Sequence, residues 1–198
     1  MQVGVAGGTL MRGILKVGEI IEIRPGIISK NCNGDKIITP IYSRIVSLKA
    51  ENNDLIYAIP GGLIGVGLKV DPSIARGDSL AGKILGYPGK LPEIYVTIIV
   101  KIHLLKRVLG IKRTEKDIAN MGEIKIGEIL LVNAGSTSVG AKVKEINKDN
   151  KEIITFEFSR PICCEISEKI AISRKYSHAW RLIGWGEVLF GGKTIPSS

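Results

Sequence analysis

The sequence predicts an all-β fold arranged in two small domains. Its 198 residues include 33 isoleucines against 10 alanines, together with 24 glycines. Isoleucine suits half-buried strands better than helices, and frequent glycines suit tight turns. Short apolar runs between turn signals recur at near-regular spacing, a pattern typical of a small barrel or sandwich. The length fits one or two domains, and the number of short runs favours two.

Six runs in the first half predict short strands. Pro25 and Gly26 are expected to end the second run, because proline has no N–H for a ladder hydrogen bond. Asn33-Gly34-Asp35 predicts a hairpin turn. The glycines at positions 4, 7, 8 and 13 predict turns and close backbone approaches, since no helical pattern follows them as a dinucleotide fingerprint requires. The runs are 13–18, 20–24, 37–39, 42–48, 62–69 and 79–85.

Two prolines and two glycines within Gly86–Pro92 interrupt this pattern and predict a domain boundary. We therefore expect one domain at residues 1–89 and a second at residues 91–198. In the second domain the polar segment Lys112–Asn120 fits either a turn of helix or a loop. The strands predicted there are 94–105, 128–133, 141–146, 153–158, 169–173 and 180–189, the last closed by Gly191 and Gly192.

The charge balance leaves nucleic-acid binding open. The chain has 28 basic and 19 acidic residues, a formal net charge of +9, and a basic field favours encounters with polyanions. However, 19 of the basic residues are lysines, and a lysine-rich proteome gives the same excess without any function. The excess is also divided evenly, with +4 in residues 1–90 and +5 in residues 91–198, so it indicates no concentrated basic arm.

The sequence shows neither a membrane span nor a disulfide framework. No uncharged apolar run approaches the roughly 20 residues that a spanning helix needs, and no secretory leader pattern opens the chain. We therefore expect a cytoplasmic protein that does not bind a membrane. Cys32, Cys163 and Cys164 are odd in number and two of them are adjacent, which favours reduced structural thiols over disulfides or a zinc site.

Catalytic motifs do not stand out. The phosphate-binding string G-x-x-x-x-G-K-[ST] does not occur in the sequence. Asn147–Asn150 resembles a guanine-reading motif but ends in Asn, and it fits a hairpin turn better. His103 and His178 have no nucleophile motif around them. We expect no catalytic residue, metal ligand or cofactor in this chain, and two hypotheses remain: a binding module, or an enzyme or GTPase regulator that would need a nucleotide site.

Several strings resemble one protein family. Gly4–Leu10, Gly13–Glu19 and Ile21–Ile27 are similar to the second domain of the translational GTPases, in particular the gamma subunit of initiation factor 2 of eukaryotes and archaea. The resemblance covers nearly the whole chain, and Pro60–Gly67 and Trp180–Gly186 favour this family over the alternative, the selenocysteine-specific elongation factor. The other similar strings are Pro40–Leu48, Ala58–Gly67, Asp71-Pro72, Leu85-Gly86, Leu91–Ile94, Leu131–Ser136 and Ile172–Arg174.

The resemblance implies two consecutive small β-barrels, equivalent to domains II and III, which follow a GTP-binding domain in the family. That domain would hold GTP and Mg²⁺, and this sequence does not contain it. The chain is therefore expected to be a fragment without enzymatic activity, although the full-length protein that it resembles is a GTPase. The strand that opens domain II is also expected to be missing, which puts the closure of the first barrel in question.

The resemblance also implies a function and a binding site. The parent heterotrimer delivers methionylated initiator tRNA to the small ribosomal subunit in a GTP-dependent way, and domain II carries the pocket for the terminal adenosine and the methionyl ester. Such a pocket needs small residues that let backbone amides approach and a flat side chain for stacking. The residues of these types are Gly7, Gly8, Gly61 and Gly62, with Tyr57 as the stacking group or, alternatively, a core or rim aromatic.

Three cations and three partner-binding residues complete the expectations. Arg24, Arg44 and Lys49 would contact the backbone of the tRNA acceptor stem, or else be ordinary surface charges. By the resemblance, the alpha subunit binds domain II, the beta subunit binds mainly the absent GTP-binding domain, and an assembly chaperone of the cell-division-cycle type engages domain III. The residue types that anchor such interfaces are Trp180, Arg181 and Trp185, although one tryptophan would fit the core equally well.

Overall fold

Strands form almost all of the regular structure. The computed structural model describes residues 3–30, 32, 36–105, 123–176 and 178–193, and within them the all-β prediction is confirmed. The chain divides into two compact units, of which the first reaches Leu91 and the second begins at Pro92.

The first unit is built on an open antiparallel sheet. Its elements are β1 (Gly4–Thr9), β2 (Leu15–Lys16), β3 (Ile20–Lys30), β4 (Lys36–Ala50), β5 (Asn53–Leu55), β6 (Tyr57–Ala58), β7 (Leu63–Leu68), α1 (Pro72–Ala75) and β8 (Ile84–Gly86). The strand order is β1-β7-β4-β3-β8, with β5 paired to β4 and a separate ribbon of β2 and β6. Because β1 and β8 lie at opposite ends of this order, the sheet is not closed among the described residues.

One face of this sheet carries the core of the first unit. Alternate residues of a strand point to the same face, and the inward positions of β3, β4 and β7 are apolar apart from Ser43 of β4. Ile45 and Leu48 are both buried although they are three positions apart. A register shift between Ile45 and Ser47 makes this possible, because the extra residue restores the alternation. The central buried side chains are Ile21, Ile23, Ile41, Ile45, Leu48, Val66 and Leu68.

The expectation that Pro25 and Gly26 end a strand is wrong. β3 continues to Lys30, and the pairing with β4 shifts register between Ile23 and Ile27. Proline is tolerated at such an irregularity because the ladder is already interrupted there. Gly26 has a φ of 79°, and a Cβ at this position would meet the Thr39 carbonyl oxygen and, at 2.8 Å, the Pro40 Cα.

Two further predictions for the first unit differ from the structure. Gly4–Thr9 forms a strand rather than turns, since it pairs along its whole length with β7, whose Ile64, Val66 and Leu68 supply the burial. The predicted strand 79–85 is wrong over most of its length, because turns occupy residues 79–82 and only Ile84–Gly86 is extended. The hairpin turn at Asn33–Asp35 lies outside the described residues.

The second unit is a closed six-stranded barrel. Its strands are β9 (Ile94–Leu104), β10 (Ile129–Ala134), β11 (Thr137–Ile146), β12 (Ile153–Cys163), β13 (Lys169–Tyr176) and β14 (Ala179–Lys193). They pair in the order β10-β11-β12-β9-β14-β13, and β13 pairs back to β10. Among the described residues, closure gives every strand of the barrel a partner on both sides, so no strand lies at an open edge of the sheet. The segment Lys112–Asn120 lies outside the described residues.

Inward-facing apolar side chains fill the barrel. The largest include Ile98, Leu130, Ile154, Phe156, Phe158 and Ile162. Cys163 and Cys164 are buried and form no disulfide. Burial raises the pKa of the Cys164 thiol to about 12, so this group stays protonated and unreactive near neutral pH. At the seam between β13 and β10, the Arg174 guanidinium donates to both carboxylate oxygens of Glu128, at 2.5 and 3.1 Å.

Glycines allow β14 to pack closely in the barrel. A Cβ on Gly184 would lie 2.5 Å from the His103 carbonyl oxygen, and one on Gly191 would meet the Tyr95 ring. The expectation that Gly191 and Gly192 close the strand is wrong, because β14 continues to Lys193. Gly191 is explained by the close approach of the Tyr95 ring rather than by a turn.

We predict that Gly184→Ala destabilises the barrel. The clashing atom belongs to the backbone of β9, so it cannot move by a rotamer change, and overpacking of this kind costs about 1–3 kcal/mol. Chemical denaturation followed by tryptophan fluorescence measures the loss, because Trp180 and Trp185 both lie on β14. Gly140→Ala is the control, since a Cβ there has 3.6 Å to its nearest neighbour, the Ser159 Oγ. Equal stability of the two variants would contradict the close-approach explanation.

Tyr87 ties the end of the first unit to its beginning. Its hydroxyl lies 2.5 Å from the Ile14 carbonyl oxygen and 2.5 Å from Oε2 of Glu19. The hydrogen bond to Glu19, with a smaller effect of burial, raises the pKa of Tyr87 to about 12. The same hydrogen bond lowers the pKa of the Glu19 carboxyl below its ordinary value of 4.5.

We predict that this contact is lost at both ends of the pH scale. The Tyr87 pKa is raised, so its contribution is complete below the ordinary value of 10.0 and disappears as pH rises towards about 12. The Glu19 pKa is lowered, so its contribution is complete above 4.5 and disappears as pH falls through the folded-state value. A titration of tyrosinate absorbance should show a late-titrating group that Tyr87→Phe removes. If the variant and the wild type titrate with the same late component, the contact is not formed.

Candidate functional site

A row of glycines lies on the outer face of the first sheet. Gly7 of β1 pairs with Gly65 of β7, and Gly65 pairs with Lys49 of β4, which pairs with Asp54 of β5. Directly paired residues share a face of the sheet, so these four residues form one row on that face. The two glycines expose backbone at one end of the row, and Lys49 and Asp54 form an ion pair at the other. The Lys49 Nζ lies 3.2 Å from Oδ1 of Asp54, and both side chains are largely exposed.

Exposed apolar side chains border the glycine row. Val5 on one side is 63% exposed and Leu63 on the other is 72% exposed. A Cβ built on Gly7 would have no heavy atom within 4 Å, and one on Gly65 would have its nearest neighbours at 3.9 Å. The result is an open strip of peptide backbone between apolar walls. A flat group such as a base or an ester can lie against such a strip, with Lys49 and Asp54 at its edge to bind polar atoms.

The structure separates the predicted pocket glycines. Gly7 and Gly8 are consecutive in a strand, so their α-carbons present opposite faces, and only Gly7 belongs to the outer row. Gly61 and Gly62 lie exposed in the turn before β7, and Gly62 directly precedes Leu63, the partner of Thr9. This register brings the turn next to the end of β1.

Tyr57 lies on the separate ribbon. It pairs with Lys16, and its side chain is 58% exposed, which is typical of a rim or contact residue and not of a core aromatic. The sequence predictions missed Gly65 and Asp54. Gly65 lies within Ala58–Gly67, one of the segments that resemble the family, and only the register of β1 with β7 shows that it lies opposite Gly7.

The three predicted cations of the first unit have different environments. Arg44 is exposed and lies opposite Ile20 on the outer face, and Lys49 is exposed at the end of the glycine row. Arg24 is mostly buried: its Nε donates to Oε1 of Glu22 at 2.6 Å, and its Nη1 donates to the Leu91 carbonyl oxygen at 3.2 Å. These contacts favour a structural role for Arg24, whereas Arg44 and Lys49 present their charge to solvent.

The three predicted interface residues of the second unit lie on β14. The rings of Trp185 and His103 stack with centroids 4.3 Å apart and planes at 29°, and the Lys169 Nζ lies 5.3 Å from the Trp185 ring centre. Trp185 is 38% exposed and Trp180 is 42% exposed, so neither is a core residue. Arg181 lies between them in sequence and pairs with Arg174.

Leu182 and Leu105 lie near the two tryptophans and are also apolar. Both side chains are exposed, and the Leu105 N–H donates to the Ile183 carbonyl oxygen, which places Leu105 beside β14. An exposed apolar surface on the barrel wall, which we call the tryptophan surface, is therefore formed by Trp180, Leu182, Trp185 and Leu105. Apolar surfaces of this kind on soluble domains often mark contact sites for other molecules.

The described residues contain no group of three or more His, Cys, Asp or Glu side chains that could hold a metal ion. No helix in this part of the chain is long and apolar enough to cross a membrane.

Comparison with known proteins gives consistent similarities. Residues 96–188 match the family model described as initiation factor eIF2 gamma, C terminal. The chain is 49% identical over 193 residues to eukaryotic translation initiation factor 2 subunit 3 of Drosophila melanogaster, covering 97% of the chain and 40% of that relative. It is 46% identical over 192 residues to eukaryotic translation initiation factor 2 subunit gamma of Schizosaccharomyces pombe, covering 97% and 42% respectively.

These similarities place the chain in the class of the translation initiation factors. Within that class, the chain belongs to the gamma-subunit family of initiation factor 2 and corresponds to its C-terminal part, as the resemblance of its sequence strings predicts. It spans about two fifths of the length of the two relatives named above.

Proposed function

We propose that this chain is the two-barrel part of an initiation factor 2 gamma subunit that helps a GTP-dependent heterotrimer to bind methionylated initiator tRNA and deliver it to the small ribosomal subunit. The observation that carries the proposal is 49% identity over 97% of the chain to a subunit of this factor. The same observation favours an initiation factor over the selenocysteine-specific elongation factor. GTP and Mg²⁺ would bind a GTP-binding domain of the longer protein, and the barrels would act as a binding module in the cytoplasm.

The glycine row supports a role in binding the aminoacylated end of the tRNA. Gly7 and Gly65 leave backbone open, Val5 and Leu63 border it, and Lys49 with Asp54 provides polar groups at one end. Tyr57, Gly61 and Gly62 would complete the pocket from the neighbouring ribbon and turn. Arg44 and Lys49 would contact phosphates of the acceptor stem, a type of contact that adds affinity without sequence specificity.

The proposal is tested by calorimetry. The chain should bind the purified alpha subunit, and it should bind methionylated initiator tRNA weakly, with an affinity that falls as salt rises. In the complete heterotrimer, Gly7→Val should weaken tRNA binding by about tenfold, ~1.4 kcal/mol, because the new side chain fills the open strip.

Gly8→Val is the matched control for the tRNA experiment. A Cβ at either glycine has no heavy atom within 4 Å, so both variants should fold, but only Gly7 belongs to the outer row. If the two variants bind tRNA equally well, the glycine row is not the tRNA site. If the chain fails to bind the alpha subunit, the assignment of the first unit as an alpha-binding domain is wrong.

The tryptophan surface supports a second contact. We propose that the exposed Trp180 and Trp185, together with the partly exposed Arg181, receive the assembly chaperone on the second unit, since tryptophan and arginine are frequent anchors of protein interfaces. The beta subunit would bind mainly to the GTP-binding domain of the longer protein, away from this surface.

Trp180→Ala should weaken chaperone binding by about tenfold or more, as anchor truncations commonly do, and leave the barrel folded because the side chain is exposed. Pull-down with the purified chaperone and thermal melting measure the two effects. Phe190→Ala is a control of similar character, since Phe190 is 70% exposed on the same strand but outside the tryptophan surface. Equal losses from both variants would contradict a specific role for Trp180.

A further inference from the structure

The last residues of the first unit form a strap across the outer face of β3. This strap, Gly86–Leu91, begins in β8 and turns back at Tyr87–Lys90, where the Lys90 N–H donates to the Tyr87 carbonyl oxygen at 3.0 Å. Leu91 lies over the strap's own beginning, because a Cβ on Gly86 would be 2.6 Å from the Leu91 Cδ2. The strap therefore covers part of a face that elsewhere is open to solvent.

A buried ion pair lies beneath the strap. Glu22 is on the outer face of β3, opposite Tyr42 and Gly86, yet its exposed fraction is 0%. One carboxylate oxygen accepts from the Arg24 Nε at 2.6 Å, and the other accepts from the Gly89 N–H at 3.2 Å. Arg24 in turn donates to the Leu91 carbonyl oxygen. Glu22 and Arg24 thus bind the strap on both sides of Lys90.

The chain is restrained again as soon as it enters the second unit. The Pro92 carbonyl oxygen accepts from the Cys163 thiol at 3.0 Å, and the Glu93 carbonyl oxygen accepts from the Cys164 N–H at 3.4 Å. Ile94 then pairs with Cys163 in the barrel. Every carbonyl from Leu91 to Glu93 therefore has a hydrogen bond, the first within one unit and the next two within the other.

We infer that Glu22 and Arg24 form a latch that holds the strap down and so fixes the point at which the chain leaves the first unit. Without the latch, the residues after Tyr87 become free linker, since Tyr87 itself is held separately by Ile14 and Glu19. With it, the backbone of the first unit is held as far as Leu91. The two latch residues are positioning residues: they act on the path of the chain and need not touch a ligand.

The chemistry of the latch makes it sensitive to a conservative change. Glu22 uses both carboxylate oxygens as acceptors, one for Arg24 and one for Gly89. Glutamine has the same shape but a single acceptor oxygen, so in either orientation its NH₂ group faces an N–H donor. Glu22→Gln therefore disrupts the latch with little change in packing volume.

Limited proteolysis with trypsin tests the latch in the whole chain. Lys90 is exposed, but its backbone is held on both sides, so cleavage after Lys90 should require opening of the strap. Loss of charged hydrogen bonds should raise the open population, and with it the cleavage rate at Lys90, by about tenfold or more. Glu145→Gln, an exposed glutamate of the barrel, is the control and should cleave like the wild type.

Each outcome decides the proposal. Faster cleavage confined to Lys90 in Glu22→Gln supports the latch, and an unchanged rate overturns it. If Glu22→Gln instead accelerates cleavage at many sites, the variant has lost its fold, and Arg24→Lys becomes the deciding protein. A lysine keeps the positive charge beside Glu22 but lacks the planar group with which Arg24 donates to both Glu22 and Leu91, so this variant must accelerate cleavage at Lys90 alone; if it does not, the strap is not held as proposed.

Discussion

The alternation of side chains along paired strands is the constraint on which the rest of this structure depends. The longer strands of both units bury one set of alternate positions, so the other set lies on the outer face. The outer set includes Gly7, Gly65 and Lys49 in the first unit and Trp180 and Trp185 in the second. The binding surfaces that we propose therefore consist of strand positions that are not buried in either core.

The alternation is interrupted at register shifts in β3 and β4, and glycines in β14 permit close packing. A register shift after Ile45 keeps both Ile45 and Leu48 in the core, and another after Ile23 admits Pro25 and Gly26 into a continuous strand. In the barrel, Gly184 and Gly191 allow other groups to approach closer than a Cβ permits. Bulges and glycines thus adjust the fit of strands whose overall pattern is regular.

The basic residues of the first unit are of two kinds: one is mostly buried and stabilises the fold, and the others are exposed to solvent. Arg24 neutralises a fully buried carboxylate and holds the strap, since an unpaired buried charge would be strongly destabilising. Arg44 and Lys49 are exposed, where screening by solvent keeps an ion pair such as that of Lys49 with Asp54 weak. Residue type alone groups these cations together, and burial separates them.

The sequence by itself determined the all-β class, most strands of the barrel and the family, because these depend on composition, local periodicity and motif strings. It did not determine the strand at Gly4–Thr9, the continuation of β3 through Pro25, or which glycines share a face. Those features depend on register between strands far apart in sequence, as in the pairing of Gly7 with Gly65. The latch of Glu22 and Arg24 on the strap likewise exists only in the tertiary structure, because it joins groups 67 positions apart.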